Sequence, residues 1–543
     1  TTLSLLAEAA QALPLDHPTV RLANLMWLRQ PASVDMYVED VLAHARVVVI
    51  DHLGAPADWA YVVEQASALA RRQGQWLALF SGDDQEDPQL LLRGTAPAED
   101  ARFLWRCLRQ GGRSNAQRFF QLLRHRVWGD VLPPGPPQEL PAVFAYQPQQ
   151  PCAMHPGAPV ALVLFYRAHA QAGNTAPFDA LMHALSEQGL NPLAMALDSL
   201  KSPSTMDAVR NTIAQQGVDL VLNATSFAVG AAQNDAASEA AWLGDVVVLQ
   251  LITAGVDRQR WQADPHGLPP RDLAMQVVLP EIDGRIATRA ISFKGLGWRC
   301  ERAQIDVVRY LPDPERIAFV AELARRWCAL RRTPAAQQRL ALVLANYPQH
   351  DGRLANGVGL DTPASVVRIL QALQAHGYGV QDAPSDAQSL MERLQQCVTN
   401  DVSANDWRPA GQSLSLQEYR LAFAQLPDSL QQAMLRQWGL PEQDPMVRQG
   451  RIMIPGLRLG RVFVGIQPAR GWQIDLARSY HDADLVPPHA YVAFYVWVRR
   501  VWAADAIVHV GKHGNLEWLP GKSVALGPEC WPDAVFGPWP HLY

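Results

Sequence analysis

Short, strongly apolar runs recur along the chain, and the stretches between them are long enough to form amphipathic helices. Runs in which nearly every residue is apolar are typical of strands buried on both faces, as in parallel sheets covered by helices. Parallel neighbours also need a long crossover, which the amphipathic stretches supply. The pattern therefore predicts an α/β fold. The runs are ARVVVI (45–50), WLALF (76–80), VALVLFYR (160–167), VDLVLNAT (218–225), DVVVLQLI (245–252), LALVLA (340–345) and a last one at 504–510.

The chain is too long for a single domain, because one hydrophobic core rarely serves more than about 250–300 residues. A proline-rich run at 131–141 interrupts every helix and strand pattern and indicates a linker. We expect several doubly wound parallel-sheet units: an N-terminal α/β domain over 1–135, a second over 136–335 and a third α/β region over 336–543. The chain opens directly on a helical pattern, so a first strand that would precede it is expected to be missing.

The third region carries two departures from the alternation of strands and helices. Residues 385–445 are polar with helical periodicity, which predicts a helical insertion on the surface. From Arg461 onward the sequence is rich in aromatic residues and predicts mostly strands.

Composition excludes several classes of protein. The formal net charge is −5, and no basic stripe with interleaved aromatic residues supports nucleic-acid binding. No window approaches the ~20 apolar residues of a membrane span. The 6 cysteines show no paired spacing, which favours free thiols over a disulfide framework or a thiolate zinc site. We expect a cytoplasmic, multidomain protein with neither nucleic acid nor membrane as a partner.

The segment after the last apolar run concentrates the most chemistry. Gly511 and Gly514 favour a sharply turning loop over a helix there. Imidazole and carboxylate groups at the end of a buried strand can hold a divalent metal ion, transfer protons, or do both. The alternative is a strand-end histidine bonded in the core beside a solvated loop, and spacing alone leaves both open. The side chains concerned are His509, Lys512, His513, Asn515 and Glu517.

Other polar side chains follow predicted strands at the positions where open α/β sheets bind ligands. Arg353 and Asn356 lie in a loop rich in glycine, asparagine and aspartate at 347–363, and Asn223 ends the run at 218–225. Trp518 adds flat apolar surface beside the carboxyl-terminal cluster. These residues are candidate contacts to a polar ligand, and the alternative is that the loops are structural.

A phosphate-binding loop is not predicted. The tripeptide Gly521-Lys522-Ser523 lacks the glycine that such a loop requires five positions earlier, where Leu516 stands. It also follows Pro520 and precedes no evident helix, so any ATP used by this protein is expected to be hydrolysed on another polypeptide.

The motif VHVGKHGNLEWLPGKSVAL (508–526), followed by ECWPDA (529–534), resembles the signature of the large subunit of aerobic cobaltochelatase. That protein is a relative of the large porphyrin-binding component of magnesium chelatase, and the chain is identified as a member of their shared family. The resemblance covers nearly the whole chain. Members of the family are much longer, so we expect an amino-terminal portion that stops at 543, just inside the catalytic body. The other matching segments are 21–50, 173–200, 217–228, 275–294, 344–378 and 462–472.

The resemblance implies a reaction and its partners. The family's substrate is hydrogenobyrinic acid a,c-diamide, a tetrapyrrole of cobalamin biosynthesis, and the metal inserted is cobalt(II). ATP and magnesium are implied on two smaller partner subunits, one of them an AAA+ ATPase. No cofactor is expected to be bound tightly by this chain, and the fragment alone is expected to be inactive.

The resemblance also implies roles for single residues. His513 and Glu517 match the family's HG-x-x-E core, and His509 matches the histidine of the preceding strand. His513 and Glu517 are implied as metal ligand and proton acceptor, and His509 as a supporting catalytic residue and third candidate ligand. Lys512 is expected to contact a substrate carboxylate, with Asn515, Trp518, Asn223, Asn356 and Arg353 as further substrate contacts.

Two other functions stay open at this point. One is insertion of magnesium into protoporphyrin IX, although Lys512, the Asn515–Trp518 tetrad and the segment at 529–534 look more like the cobalt branch. The other is a non-catalytic tetrapyrrole-binding scaffold. An aromatic run that includes Tyr491, Phe494, Tyr495, Trp497 and Trp502 either belongs to the core or forms a platform for the macrocycle.

Overall fold

The computed structural model describes residues 2–52, 59–83, 85–230, 243–346, 354–355, 359–404, 406–472, 482–511 and 515–543. Within these ranges the strands form four sheets, and every apolar run predicted as a strand is one. The predicted α/β class with parallel sheets is therefore confirmed.

The first sheet contains two parallel strands, β1 (Val47–His52) and β2 (Trp76–Ser81). Leu77 and Leu79 pack in one apolar cluster and Ala78 and Phe80 in another, so both faces of β2 are covered. This double burial explains why β2 lacks an alternating pattern. The helices of this part are Thr2–Gln11, Pro31–Asp40, Ala60–Gln73, Pro88–Leu91, Ala98–Gln110 and Gly112–Trp128.

The second sheet contains β3 (Val143–Tyr146), β4 (Val160–Tyr166), β5 (Asn191–Leu197), β6 (Val218–Asn223), β7 (Val247–Ala254), β8 (Ile286–Cys300) and β9 (Ile305–Pro312). Their spatial order is β3-β5-β4-β6-β7-β8-β9. The five central strands run parallel, whereas β3 and β9 pair antiparallel at the two edges. The helices are Arg167–Gln171, Ala176–Glu187, Pro203–Gln216, Arg258–Ala263, Pro270–Leu273, Leu279–Ile282 and Pro314–Arg332.

The third part contains β10 (Leu340–Leu344), β11 (Ser413–Ser415), β12 (Val447–Arg448), β13 (Arg451–Met453), β14 (Gly456–Leu459), β15 (Val462–Ile466), β16 (Ala506–Val510) and β17 (His541–Leu542). A five-stranded sheet has the order β14-β15-β10-β16-β17, and β11, β13 and β12 form a small antiparallel sheet. The predicted insertion at 385–445 is mainly helical, as expected. The helices are Thr362–Ala375, Ala387–Gln395, Leu416–Phe423, Asp428–Trp438, His489–Val496 and Trp531–Phe536.

The aromatic run near the carboxyl end differs from its sequence-based interpretation. Residues predicted to be mostly strand form the helix His489–Val496 and a following π-helical turn at Trp497–Val501. Tyr491, Phe494 and Tyr495 have no exposed surface, and Trp497 has 1%. They pack in the largest apolar core of the third part, so they are not a platform on which a macrocycle can stack.

All six cysteines are free thiols, as their scattered spacing predicts. Among the helices of the described ranges, none has both the length and the apolar character that a membrane crossing requires.

A buried ion cluster joins the second and third parts of the chain. Asp533, at the start of the helix Trp531–Phe536, accepts from Arg289 Nε at 2.8 Å and from Arg316 Nη1 at 2.5 Å. The side chains of Arg316 and Asp533 are each 2% exposed. Nearby, Trp261 Nε1 donates to the carbonyl of Ala525 at 2.9 Å. The ECWPDA segment is thereby fixed onto the second sheet and its helices.

We predict that Asp533→Ala lowers the free energy of unfolding by about 3–5 kcal/mol, because it leaves the Arg316 guanidinium buried without its main partner. Chemical denaturation of the chain measures this. The control is Asp306→Ala, which removes an ion pair whose two side chains, Arg299 and Asp306, are about half exposed. It should cost less than about 1 kcal/mol. Equal losses in the two variants would contradict the structural role given to the cluster.

Candidate functional site

Three loops leave the five-stranded sheet at the same level. Strand β10 lies between β15 and β16, all three run parallel, and Leu344 is in register with Ile466 and Val510. The chain leaves β10 for β15 on one side and later returns to β16 on the other, and such a reversal is where open α/β sheets bind ligands. We call the polar residues that gather there, Asn346, Gln467, His509 and Asn515–Trp518, the carboxyl edge.

Asn515 connects the three loops. Its backbone N–H donates to Gln467 Oε1 at 2.9 Å. Its side-chain Nδ2 donates to the carbonyls of Asn346 and Pro468, both at 3.3 Å. Since Asn346 follows β10 and Gln467 and Pro468 follow β15, one buried asparagine holds the ends of all three strands together. A predicted substrate contact is thus a buried bridge between loops.

His509 lies in β16 and is 5% exposed. Its Nε2 is 2.8 Å from the Tyr495 hydroxyl, and its Nδ1 is 2.7 Å from His541 Nε2. Burial and then the neighbouring His541 lower the pKa of His509 well below its ordinary value, and burial lowers the pKa of His541 to about 4. Both imidazoles are therefore neutral at pH 7. In this arrangement neither ring nitrogen of His509 is free to coordinate a metal ion.

Glu517 lies on the exposed side of the carboxyl edge, in the single helical turn Leu516–Trp518. Its Oε1 accepts from the Tyr543 hydroxyl at 3.2 Å. Burial raises the pKa of Tyr491 and of Tyr495, and the nearby Glu517 charge acts on both in the same direction. The buried hydroxyls thus stay protonated, and the carboxylate is presented to solvent above them.

Trp518 is half-buried beside Glu517. Its backbone carbonyl accepts from Arg470 Nη2 at 2.7 Å, and the same nitrogen donates to the carbonyl of Asp482 at 2.6 Å. Arg470, which follows β15, is 2% exposed and therefore fixes the turn that carries Glu517 from below.

Asn223 lies at the end of β6, in the other large sheet, so the structure does not place it on the carboxyl edge. It is fully buried and donates from Nδ2 to Gln250 Oε1 at 3.2 Å. Its Oδ1 accepts from the backbone N–H and the hydroxyl of Thr225. Its carboxamide therefore shapes the loop after β6, and contact with a substrate stays a prediction.

Arg353, Asn356, Lys512 and His513 lie outside the described residues, so their predicted roles stay predictions. Within the described ranges, no three His, Cys, Asp or Glu side chains are grouped closely enough to hold a metal ion.

The interpretation of Lys522 as no phosphate ligand agrees with its contacts. Its Nζ donates to the backbone carbonyls of Gln262 and Asp264, at 2.9 and 2.8 Å, and lies over the ring of Trp261. The next helix after it in the described chain begins only at Trp531.

Sequence reasoning missed Gln467, Tyr495 and His541 as members of the site. Gln467 directly follows β15, and the rule that selected Asn223 as a strand-end residue would have found it. Tyr495 was considered only as core or platform, and no local pattern relates it to His509. His541 reaches His509 because β17 pairs with β16, which is a tertiary contact.

The chain belongs to the CobN/magnesium chelatase family, because the sequence model described as CobN/Magnesium Chelatase matches residues 105–543. The aerobic cobaltochelatase subunit CobN of Pseudomonas aeruginosa is 51% identical over 549 residues, covering 100% of this chain and 44% of that protein. CobN of Sinorhizobium sp is 40% identical, covering 97% and 42%. The large magnesium-chelatase protein of Chlorobaculum parvum is 29% identical, covering 70% and 29%.

A solved structure agrees in fold. The catalytic subunit of cobaltochelatase from Mycobacterium tuberculosis matches with a TM-score of 0.76 and 32% identity, covering 100% of this chain and 44% of that one. The family resemblance predicted from the motifs is confirmed. The chain spans less than half the length of these relatives.

We predict that Asn515→Ala loosens all three loops of the carboxyl edge, because it removes the donor shared by two buried carbonyls. The free energy of unfolding should fall by about 1–3 kcal/mol. Amide hydrogen exchange should quicken at 344–346, 466–470 and 509–511.

The matched control is Asn115→Ala. Asn115 is also buried and donates from Nδ2 to two carbonyls, those of Gly111 and Gln138, far from the edge in sequence. It should cost similar stability and leave exchange at the edge unchanged. Unchanged exchange at the edge in Asn515→Ala would refute the bridging role.

Proposed function

We propose that the chain is part of the tetrapyrrole-binding large subunit of an ATP-dependent cobaltochelatase, which inserts cobalt(II) into hydrogenobyrinic acid a,c-diamide. The observation that carries this proposal is the carboxyl edge. There the family motif at 508–518 continues a buried parallel strand into a turn that presents Glu517 to solvent. Its position at the reversal of strand order supports a ligand site.

The chemistry of metal insertion fits these residue types. The ion must lose water, and the inner nitrogens of the ring must lose protons as the bonds to the metal form. A carboxylate and an imidazole serve as ligands for a borderline ion such as cobalt(II) and as proton acceptors near neutral pH. Few protein ligands suit the task, because a closed four-ligand site would retain the ion.

We assign the direct roles to His513 and Glu517, as metal ligand and proton acceptor. His509 is the third residue of the site, and its contacts favour a supporting role, since both of its ring nitrogens already have partners. Trp518 and Lys512 are assigned to the ring and its peripheral carboxylates, with Arg353 and Asn356 as further contacts. Asn515 and Asn223 act through the shape of the loops, because both are buried.

ATP hydrolysis is assigned to two smaller partner subunits, one of them an AAA+ ATPase with bound magnesium. The occupied Lys522 ammonium supports this division, since the GKS tripeptide of this chain serves as a contact to the second sheet.

Cobalt is preferred over magnesium because the relatives named as cobaltochelatase subunits are 51% and 40% identical, against 29% for the magnesium-chelatase protein. A scaffold without catalysis remains the rival from another class, and the variants below separate it from the chelatase.

We predict that Glu517→Gln and His513→Ala, made in the full-length subunit with its partner subunits and ATP, each lower the rate of cobalt insertion by about 100-fold or more, within the range for loss of a general base. Binding of the corrinoid should change by less than about threefold. Absorbance of the cobalt corrinoid measures insertion, and fluorescence quenching measures binding.

Glu301→Gln is the control, because Glu301 is an exposed carboxylate on the second sheet. Its rate should equal that of the wild type. Normal insertion by Glu517→Gln and His513→Ala would refute the site assignment. Loss of ring binding without any insertion activity in the wild type would favour the scaffold.

A further inference from the structure

A continuous line of hydrogen bonds runs beneath the carboxyl edge. It leads from the backbone N–H of Asn515 to Gln467 (2.9 Å), from Gln467 Nε2 to the Tyr495 hydroxyl (3.4 Å), and on to His509 Nε2 (2.8 Å) and His541 (2.7 Å). Gln467 and Tyr495 have no exposed surface, and His509 has 5%. We call these four side chains the buried chain.

The direction of donation is fixed at the Asn515 end. A backbone N–H can only donate, so the atom of Gln467 that faces it must be the carboxamide oxygen. The amide nitrogen of Gln467 then faces Tyr495 and can only donate to the hydroxyl oxygen. This orientation does not depend on how the two ends of the carboxamide are distinguished, because the reversed amide would place two donors against each other.

The same logic extends to the histidines. Tyr495 accepts from Gln467, so its own hydrogen is available for His509 Nε2, the acceptor 2.8 Å away. His509 then carries its hydrogen on Nδ1 and donates to His541 Nε2, and His541 carries its hydrogen on Nδ1. Each neutral imidazole is thereby held in one tautomer, and every group in the buried chain donates in the same direction.

We infer that Gln467, Tyr495 and His541 are positioning residues for the reaction, and that His509 acts through this chain instead of by touching the metal. The chain begins on the backbone of Asn515, directly after residues 512–514 and two positions before Glu517. It ties that backbone to the buried helix His489–Val496 and to β17.

The inference rests on the proposed function, because it assigns these residues to a cobalt-inserting site. Its physical basis is that a ligand or base on a turn is only as well placed as the backbone beneath it. Supporting partners of this kind alter metal affinity or activity by roughly 10–100-fold when they are removed. The exposed Glu517 and the loop at 512–514 have no other buried polar support within the described residues that reaches the helix His489–Val496.

The first test reads the tautomers directly. In the chain labelled with ¹⁵N-histidine, side-chain spectra near pH 8 should show hydrogen on Nδ1 of both His509 and His541, assigned with His509→Gln and His541→Gln. In Tyr495→Phe, His509 should lose its single tautomer. Hydrogen on Nε2 of His509 in the wild type would overturn the inference, since the direction of donation would be reversed.

The second test measures insertion of cobalt by the full-length subunit with its partners. Tyr495→Phe should lower kcat by about tenfold and leave KM for the corrinoid within about twofold. The matched control is Tyr419→Phe. Tyr419 is also fully buried, and its hydroxyl is also 2.8 Å from a buried histidine, His489, in the same core but away from the edge. It should leave kcat unchanged.

A pair of variants at the far end guards against a simple folding defect. His541→Gln keeps an oxygen that can accept from His509 Nδ1 and should retain most of the activity. His541→Leu removes the acceptor and should resemble Tyr495→Phe. Equal kcat in Tyr495→Phe, Tyr419→Phe and the wild type would overturn the positioning role alone. A wild-type subunit that inserts no cobalt would overturn the proposed function, while the tautomer result would stand independently.

Discussion

The parallel pairing of β10 with β15 on one side and β16 on the other is the interaction on which the candidate site depends. All five residues of β10 are buried, and its last residue, Leu344, is level with the last residues of both neighbours. Strands aligned in this way release their loops at one height. A shift of register by one residue would turn the side chain of His509 from Tyr495 to the opposite face of the sheet.

Much of the fold could be predicted from local patterns. Runs such as those at 218–225 and 340–345 become buried strands because both faces of their sheets are covered, which removes any alternation. The pattern failed from Arg461 onward. Aromatic residues suit strands and buried helices alike, and the run around Tyr495 is helical because its whole circumference is buried in the core.

The candidate site was predictable only in part. The motif at 508–518 identified His509, Asn515 and Glu517 by residue type and by resemblance, but residue type does not reveal what a side chain contacts. Asn515 is a bridge between loops, and His509 is bonded through both ring nitrogens. Their partners, Gln467, Tyr495 and His541, come from three separate elements, and only the tertiary fold brings them together.

The central claim is that the carboxyl edge belongs to a site for a corrinoid ring. The most direct measurement is a titration of this chain with hydrogenobyrinic acid a,c-diamide and, in parallel, with protoporphyrin IX, following tryptophan fluorescence and the absorbance of the ring. The account predicts saturable binding of the corrinoid, at least tenfold tighter than that of the porphyrin, and weakened by Trp518→Leu. Tighter binding of the porphyrin, or no binding of either ring, would contradict it.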